Sequence, residues 1–141
     1  MGGNYRLEAI QARFLKVKIK HLYKWTKERR EIANWYYSLL DPKVLVKRTV
    51  DETQHVYHIF SILIPEKNRI TSILDKSQIG YNFHYPRTIP DHLFYSRIVS
   101  NPENNKNAKI WSSAQLSLPI YPGLKLSEVQ FIANLINNEI D

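Results

Sequence analysis

Apolar positions recur at helical intervals from Leu7 to Leu40, a stretch without Pro or Gly. Leu7, Ile10, Phe14 and Val17 form one track, Leu15, Ile19 and Leu22 a second, and Ile32, Trp35, Tyr36 and Leu39 follow. The spacing predicts one long helix, or two joined at a bend, ending before Pro42. An unbroken helix of about 30 residues would span roughly 45 Å at 1.5 Å per residue. Helices of that length more often tie one domain to another, or pack on a partner, than stand alone.

The period then changes to two. Gln54 to Ile64 is rich in β-branched and aromatic residues and is stopped by Pro65. This predicts a strand with Val56, His58, Phe60, Ile62 and Ile64 on one face. His55, Tyr57, Ile59, Ser61 and Leu63 would lie on the other. Arg69 to Lys76 carries Ile70, Ile73 and Leu74 at helical spacing, and Gly80 precedes a second expected strand, Tyr81 to Tyr85. Residues 86–108 read as irregular, with a short helix at Asp91 to Ile98. A further short helix leads to a third strand, Leu116 to Pro119. Ser127 with Gln130 fits a capping box, and Val129, Ile132, Ala133, Leu135 and Ile136 continue an apolar stripe to Ile140. The pattern predicts an α+β fold: a long N-terminal helix and a small, mostly antiparallel sheet of about three strands with helices packed on it.

At 141 residues, 43% hydrophobic and 23% charged, the chain is long enough to bury a core and too apolar to be disordered. Cysteine is absent, which removes disulfides and thiolate metal sites. No apolar run reaches the roughly 20 residues of a membrane span. No leader-type segment opens the chain, so a cytoplasmic protein free of the membrane is expected. The formal net charge is +7. Seven of the fifteen residues from Lys16 to Arg30 are basic, a density that could serve phosphate backbones. However, Lys16, Lys20, Lys24 and Lys27 share one helical face, and no base-reading module accompanies them. A solvated helix face is the reading preferred over nucleic-acid binding.

Five histidines raise a metal hypothesis. His55 and His58, three apart in a strand, would point to opposite faces. His84 and His92 lack a nearby carboxylate or cysteine pattern. Structural or hydrogen-bonding roles are therefore preferred, and no metal is expected. With four glycines in total, there is no Gly-x-Ser-x-Gly elbow or phosphate-cradling loop. None of the many lysines sits in the apolar setting that an imine-forming lysine needs.

Five segments, in order, carry a resemblance. Gly3-Asn4-Tyr5-Arg6-Leu7 leads into Ile10-Gln11-Ala12, then come Arg30, Ile32-Ala33 and Tyr36 or Tyr37. His55-Val56-Tyr57-His58 follows, then Gly80 with His84-Tyr85-Pro86, and finally Leu116-Ser117-Leu118-Pro119-Ile120-Tyr121-Pro122-Gly123-Leu124. Together they resemble the C-terminal portion of the DegT/DnrJ/EryC1/StrS family of pyridoxal-phosphate aminotransferases acting on nucleotide-linked keto-sugars.

The resemblance implies a dimer whose active site lies at the subunit interface. It places Asn4 and Arg6 as ligands to the cofactor phosphate of the neighbouring subunit, chemistry that an amide and an arginine fork both suit. Asn4 fits a helix cap equally well. It sets His84 and Tyr85, and with them His55, near the sugar nucleotide, and it suggests glutamate as amino donor. In the family, the Schiff-base lysine and the acid beside the pyridine nitrogen lie upstream of the Gly-x-Asn loop. The chain is thus expected to lack the covalent anchor for pyridoxal 5'-phosphate and to be inactive alone. Residues 1–40 would be the phosphate loop and linking helix, and 41–141 the small domain. Apolar residues of the long helix, left uncovered, predict self-association or pairing with a large-domain chain. The competing reading is a free-standing, non-catalytic interaction domain.

Overall fold

The computed structural model describes residues 6–46, 55–95, 98 and 105–140. The predicted long helix is two helices in line. Helix α1 (Ala9–Lys18) passes through a 3-10 turn at Ile19–His21 into α2 (Leu22–Leu39). Leu40 leaves the helical conformation two residues before Pro42, as the proline dictates. The two helices have different surroundings. None of the residues of α1 is buried, whereas α2 sinks Ile32, Ala33 and Tyr36 into the core.

Two antiparallel strands form the centre, β1 (Phe60–Leu63) and β2 (Gln115–Leu118). They pair Phe60 with Leu118, Ser61 with Ser117, Ile62 with Leu116 and Leu63 with Gln115. Beyond them the sheet is extended only by single bridges, Leu45 to Ile62 on one side and Asn82 to Ser117 on the other. The third expected strand is found as β2, whereas the second, Tyr81 to Tyr85, is reduced to a contact at Asn82. Its neighbours turn their amides elsewhere: Phe83 N–H donates to Asn82 Oδ1 at 2.8 Å and His84 N–H to Gln115 Oε1 at 2.7 Å. Amides diverted to side chains cannot continue a ladder.

The strand expected from Gln54 is also shorter. Gln54 lies outside the described residues, and residues 55–59 precede the ladder. Tyr57 has φ +45°, a left-handed conformation that interrupts an extended run. It also resets the alternation. Tyr57 is buried while Val56 and His58 are exposed, and the predicted Phe60, Ile62, Ile64 face resumes beyond it.

Helix α3 (Lys67–Lys76) buries Ile70 and Leu74, and α4 (Lys106–Ala114) leads directly into β2. Ile89–Asp91 forms a 3-10 turn; the helix expected from Asp91 to Ile98 is not formed over residues 92–95, and residues 96 and 97 lie outside the described ones. Helix α5 (Leu126–Asn137) buries Val129, Ile132, Ala133 and Ile136. Its start is not the expected Ser127–Gln130 box. The helix begins earlier, and Glu128 Oε2 accepts from the backbone N–H of Lys125 at 2.8 Å. Gly123 holds φ +95° in the turn that closes Leu124 N–H onto the Tyr121 carbonyl, a region that glycine enters without cost.

The core lies where α2 and α5 pack against the sheet. Tyr36 stacks on Phe60 at 4.8 Å between centroids, and Tyr37 meets Phe60 edge-on at 5.1 Å. Asn137 ties the two helices together: its Oδ1 accepts from Asp41 N–H at 2.9 Å, and its Nδ2 donates to the Leu39 carbonyl at 2.8 Å. One orphan carbonyl at the end of α2 is thereby satisfied.

Tyr36 is fully buried, and its hydroxyl donates to the Pro119 carbonyl at 3.0 Å. Burial pushes its ionisation well above the ordinary value of 10.0, with smaller contributions from Tyr121 and Glu128. The folded state therefore holds this proton more tightly than the unfolded chain. Stability is unaffected below pH 10.0 and falls as pH rises above it, by up to about 1.4 kcal/mol per unit. Tyr36→Phe is expected to flatten that alkaline limb while costing about 1–2 kcal/mol at neutral pH. Urea titrations at neutral and alkaline pH measure both, and an unchanged alkaline limb would refute the assignment.

Candidate functional site

Strand β2 has an apolar and a polar face. Leu116 and Leu118 enter the core, and Gln115 and Ser117 point to the opposite side, where they are nonetheless buried. The segment 82–84 covers them. Gln115 Nε2 donates to Ser117 Oγ at 2.6 Å and to Ser61 Oγ at 2.9 Å, and Gln115 Oε1 accepts the His84 amide. The ring of His84 rests on this network through Nδ1, 2.8 Å from Ser117 Oγ. Trp111 Nε1–H closes on the His84 carbonyl at 3.4 Å. The His84–Tyr85 peptide is cis, with the two rings edge to face at 5.5 Å. Among the described residues no buried side-chain N or O lacks a partner.

A cleft of about 270 Å³ opens beside this cluster, with His58, Asn82, His84 and Ser117 on its walls. Gly80 and Pro119 separate it from a larger groove of about 540 Å³ between the end of α3 and α5, lined by Ile79, Leu124, Phe131 and Glu128.

The expected site residues thus fall in three places. His84 and Tyr85 are adjacent, His84 anchored in the cleft and Tyr85 69% exposed. His55 belongs to a different cluster. Its Nδ1 accepts from Tyr57 N–H at 3.0 Å, its ring lies 4.1 Å from that of Tyr57, and its carbonyl takes Arg30 Nε–H at 2.8 Å. Arg29 Nε–H likewise holds the Val56 carbonyl at 2.9 Å. These bonds fasten the segment before β1 to α2. Arg6 is exposed ahead of α1, and Asn4 lies outside the described residues.

Sequence reasoning missed Ser61, Gln115, Ser117, His58 and Asn82. The signal for the first three was present, since Gln-Leu-Ser-Leu alternates with period two and so offers a polar face. That Ser61 would lie opposite Ser117 required the register.

No group of three or more potential metal ligands occurs among the described residues. The described lysines do not offer an anchor for an aldehyde cofactor. Every described lysine is exposed except Lys67. Its Nζ is engaged, donating to the Ser112 carbonyl at 2.9 Å and lying 4.8 Å from the Phe83 ring centroid. An imine-forming lysine must be desolvated and free to react, so the described residues do not fit covalent attachment of pyridoxal phosphate.

Helix α1 and its continuation leave large apolar side chains in solvent: Ile10 is 67% exposed, Phe14 64% and Tyr23 84%. The basic side chains Lys16, Lys20, Lys24 and Lys27 are exposed along the same helices. Among the described residues no helix is long and apolar enough to cross a membrane.

Comparison with known proteins gives a consistent result. The family model described as the DegT/DnrJ/EryC1/StrS aminotransferase family matches residues 1–137. A pleiotropic regulatory protein of Geobacillus stearothermophilus is 34% identical, covering 96% of this chain and 38% of its own length. A dTDP-3-amino-3,6-dideoxy-alpha-D-galactopyranose transaminase of Aneurinibacillus thermoaerophilus is 29% identical over 96% of this chain and 37% of its own. Among solved structures, DesV of S. venezuelae, in complex with a ketimine intermediate, superposes with a TM-score of 0.88 at 26% identity. That match covers 99% of this chain and 39% of DesV. The chain therefore spans under two-fifths of the proteins it matches.

Proposed function

Because the chain belongs to the DegT/DnrJ/EryC1/StrS aminotransferase family, we propose that it acts as the C-terminal part of a pyridoxal-phosphate-dependent sugar-nucleotide aminotransferase. In this reading it completes an active site whose covalent cofactor anchor lies on another polypeptide segment. The match along residues 1–137, set against under two-fifths of the relatives' length, carries the reading. The reaction would convert a nucleotide-linked keto-sugar to an amino-sugar in the cytoplasm, with glutamate as donor, for surface polysaccharide or a related glycan. When bound, the cofactor supplies the electron sink for amino transfer. This chain's residues bind and orient: Asn4 and Arg6 toward the cofactor phosphate, and His84 and Tyr85 toward the sugar nucleotide. Residues 1–40 link the two parts, and 41–141 form the small domain.

Mixing tests the proposal directly. This chain, a chain carrying the large domain of a relative, pyridoxal phosphate, a dTDP-keto-sugar and glutamate are expected to give amino-sugar together and none separately. An inactive mixture in which the two chains bind each other would overturn the catalytic reading in favour of a non-catalytic interaction domain. Alone, the chain is expected to form no stoichiometric single-site adduct with pyridoxal phosphate on borohydride reduction, as mass spectrometry would show.

The exposed face of α1 bears on assembly. Contiguous apolar surface of this kind promotes association, so the isolated chain is expected to form dimers or larger species through its N-terminal helices. Ile10→Glu with Phe14→Glu should return it to monomer in light scattering. A monodisperse wild-type monomer at high concentration would count against the interface.

A further inference from the structure

We infer that Ser117 and Gln115 fix the tautomer of His84, so that the neutral imidazole presents Nε2–H as a hydrogen-bond donor to the cleft. The argument starts at Gln115. Its Oε1 lies 2.7 Å from the amide of His84, and a backbone N–H can only donate, so that atom is the oxygen and the amide orientation is determined. The two hydrogens on Nε2 then serve Ser61 Oγ and Ser117 Oγ. Ser117 thus already accepts one bond, and its own proton must be placed.

Two acceptors are in range. Ser61 Oγ is 3.5 Å away and His84 Nδ1 is 2.8 Å away. The first is beyond the ordinary O–H···O range and the second is close to optimal. Ser117 therefore donates to Nδ1, and an Nδ1 that accepts leaves the imidazole hydrogen on Nε2. In the opposite tautomer, Nδ1–H would donate to a hydroxyl that also accepts from Gln115, and the Ser117 proton would be left with only the long contact to Ser61. In a buried setting that loss is costly.

Nε2 has no protein partner among the described residues, and His84 lines the cleft together with His58 and Asn82. The ligand group met there must be an acceptor. On the reading proposed above, on which this step of the inference rests, that group is a hydroxyl, carbonyl or phosphate oxygen of the sugar nucleotide. Ser117 and Gln115 are then positioning residues acting through His84, and Ser61 is dispensable to the tautomer.

Imidazole nitrogen NMR on the 15N-histidine-labelled chain tests this without ligand or partner, on the neutral side of histidine's ordinary titration range. His84 is assigned by the signals missing in His84→Asn. The expected result is a predominant Nε2–H tautomer in the wild type. Ser117→Ala should lower the ratio of Nε2–H to Nδ1–H by roughly fivefold, the worth of one net hydrogen bond. Ser117→Thr should retain the ratio, and Ser61→Ala should leave it unchanged.

A wild-type Nδ1–H tautomer would overturn the inference, as would an unchanged ratio in a folded Ser117→Ala. A collapse in Ser61→Ala would do the same. Should Ser117→Ala fail to fold, the wild-type spectrum and Ser61→Ala decide. Loss of the sugar-nucleotide reading would leave these spectra untouched, so the two failures are distinguishable.

Discussion

Phe60→Ala is expected to remove about 3–5 kcal/mol from the stability of this chain. Phe60 is 2% exposed and opens β1, with Tyr36 stacked on one side of its ring and Tyr37 edge-on. It also faces Leu118 across the ladder. Truncation would strip three neighbours of contact at once and leave a cavity beneath α2. The surrounding rings are large and held by other bonds, Tyr36 by the Pro119 carbonyl, so they cannot collapse into the space. Since domains are stable by only about 5–15 kcal/mol, much of the margin would go. Urea unfolding followed by circular dichroism measures this, and a loss below about 1.5 kcal/mol, the size of a single methylene change, would contradict the packing described.

Gln115→Leu should cost nearly as much for a different reason. The volume is kept, so no cavity term arises, but Gln115 is fully buried with every polar atom in use. The leucine would strand the His84 amide and take the shared donor from Ser61 and Ser117. Each buried group left unpaired costs about 1–3 kcal/mol. The serines can partly re-pair with each other across the Ser61–Ser117 position, so a total of about 3 kcal/mol is expected. The effect should also be local. Hydrogen exchange at the Asn82 to His84 amides should accelerate more than at the Ile62 amide, because the first segment has no ladder and is held to the sheet by one bridge, this side chain and the His84 ring that rests on its network. Uniform acceleration across both segments would show that Gln115 supports the whole core rather than the His84 segment.

The legibility of the chain follows the range of the interactions involved. The apolar stripe of α5 and the Phe60, Ile62, Ile64 alternation were readable because helical and strand periods are local properties. The capping expected at Ser127 went elsewhere because Glu128 reaches the Lys125 amide from within the same turn. The second strand failed for a tertiary reason. Tyr81 to Tyr85 has strand composition, yet its amides are claimed by Asn82 and by Gln115, the latter distant in sequence. At Tyr57 a positive φ that no β-propensity foretells ended the first strand's outer half.

The same division runs through the site. Of the pair named through a short motif, His84 lines a cleft, and the ring of Tyr85 meets it edge to face. His55, named with them, does not line that cleft; its Nδ1 accepts from Tyr57 N–H and its carbonyl from Arg30 Nε–H, partners that the motif could not show.

By itself the sequence determined the family, the α+β class and the helices that carry the core. These rest on composition, local periodicity and ordered motifs, all written along the chain. Only the tertiary structure decided that the sheet narrows to two strands, that α1 stays uncovered while α2 is buried, and that Ser61, Gln115 and Ser117 converge under His84. A hydrogen bond between residues 31 or 54 positions apart depends on register and on which face a segment folds across. Neither is fixed until the chain has packed.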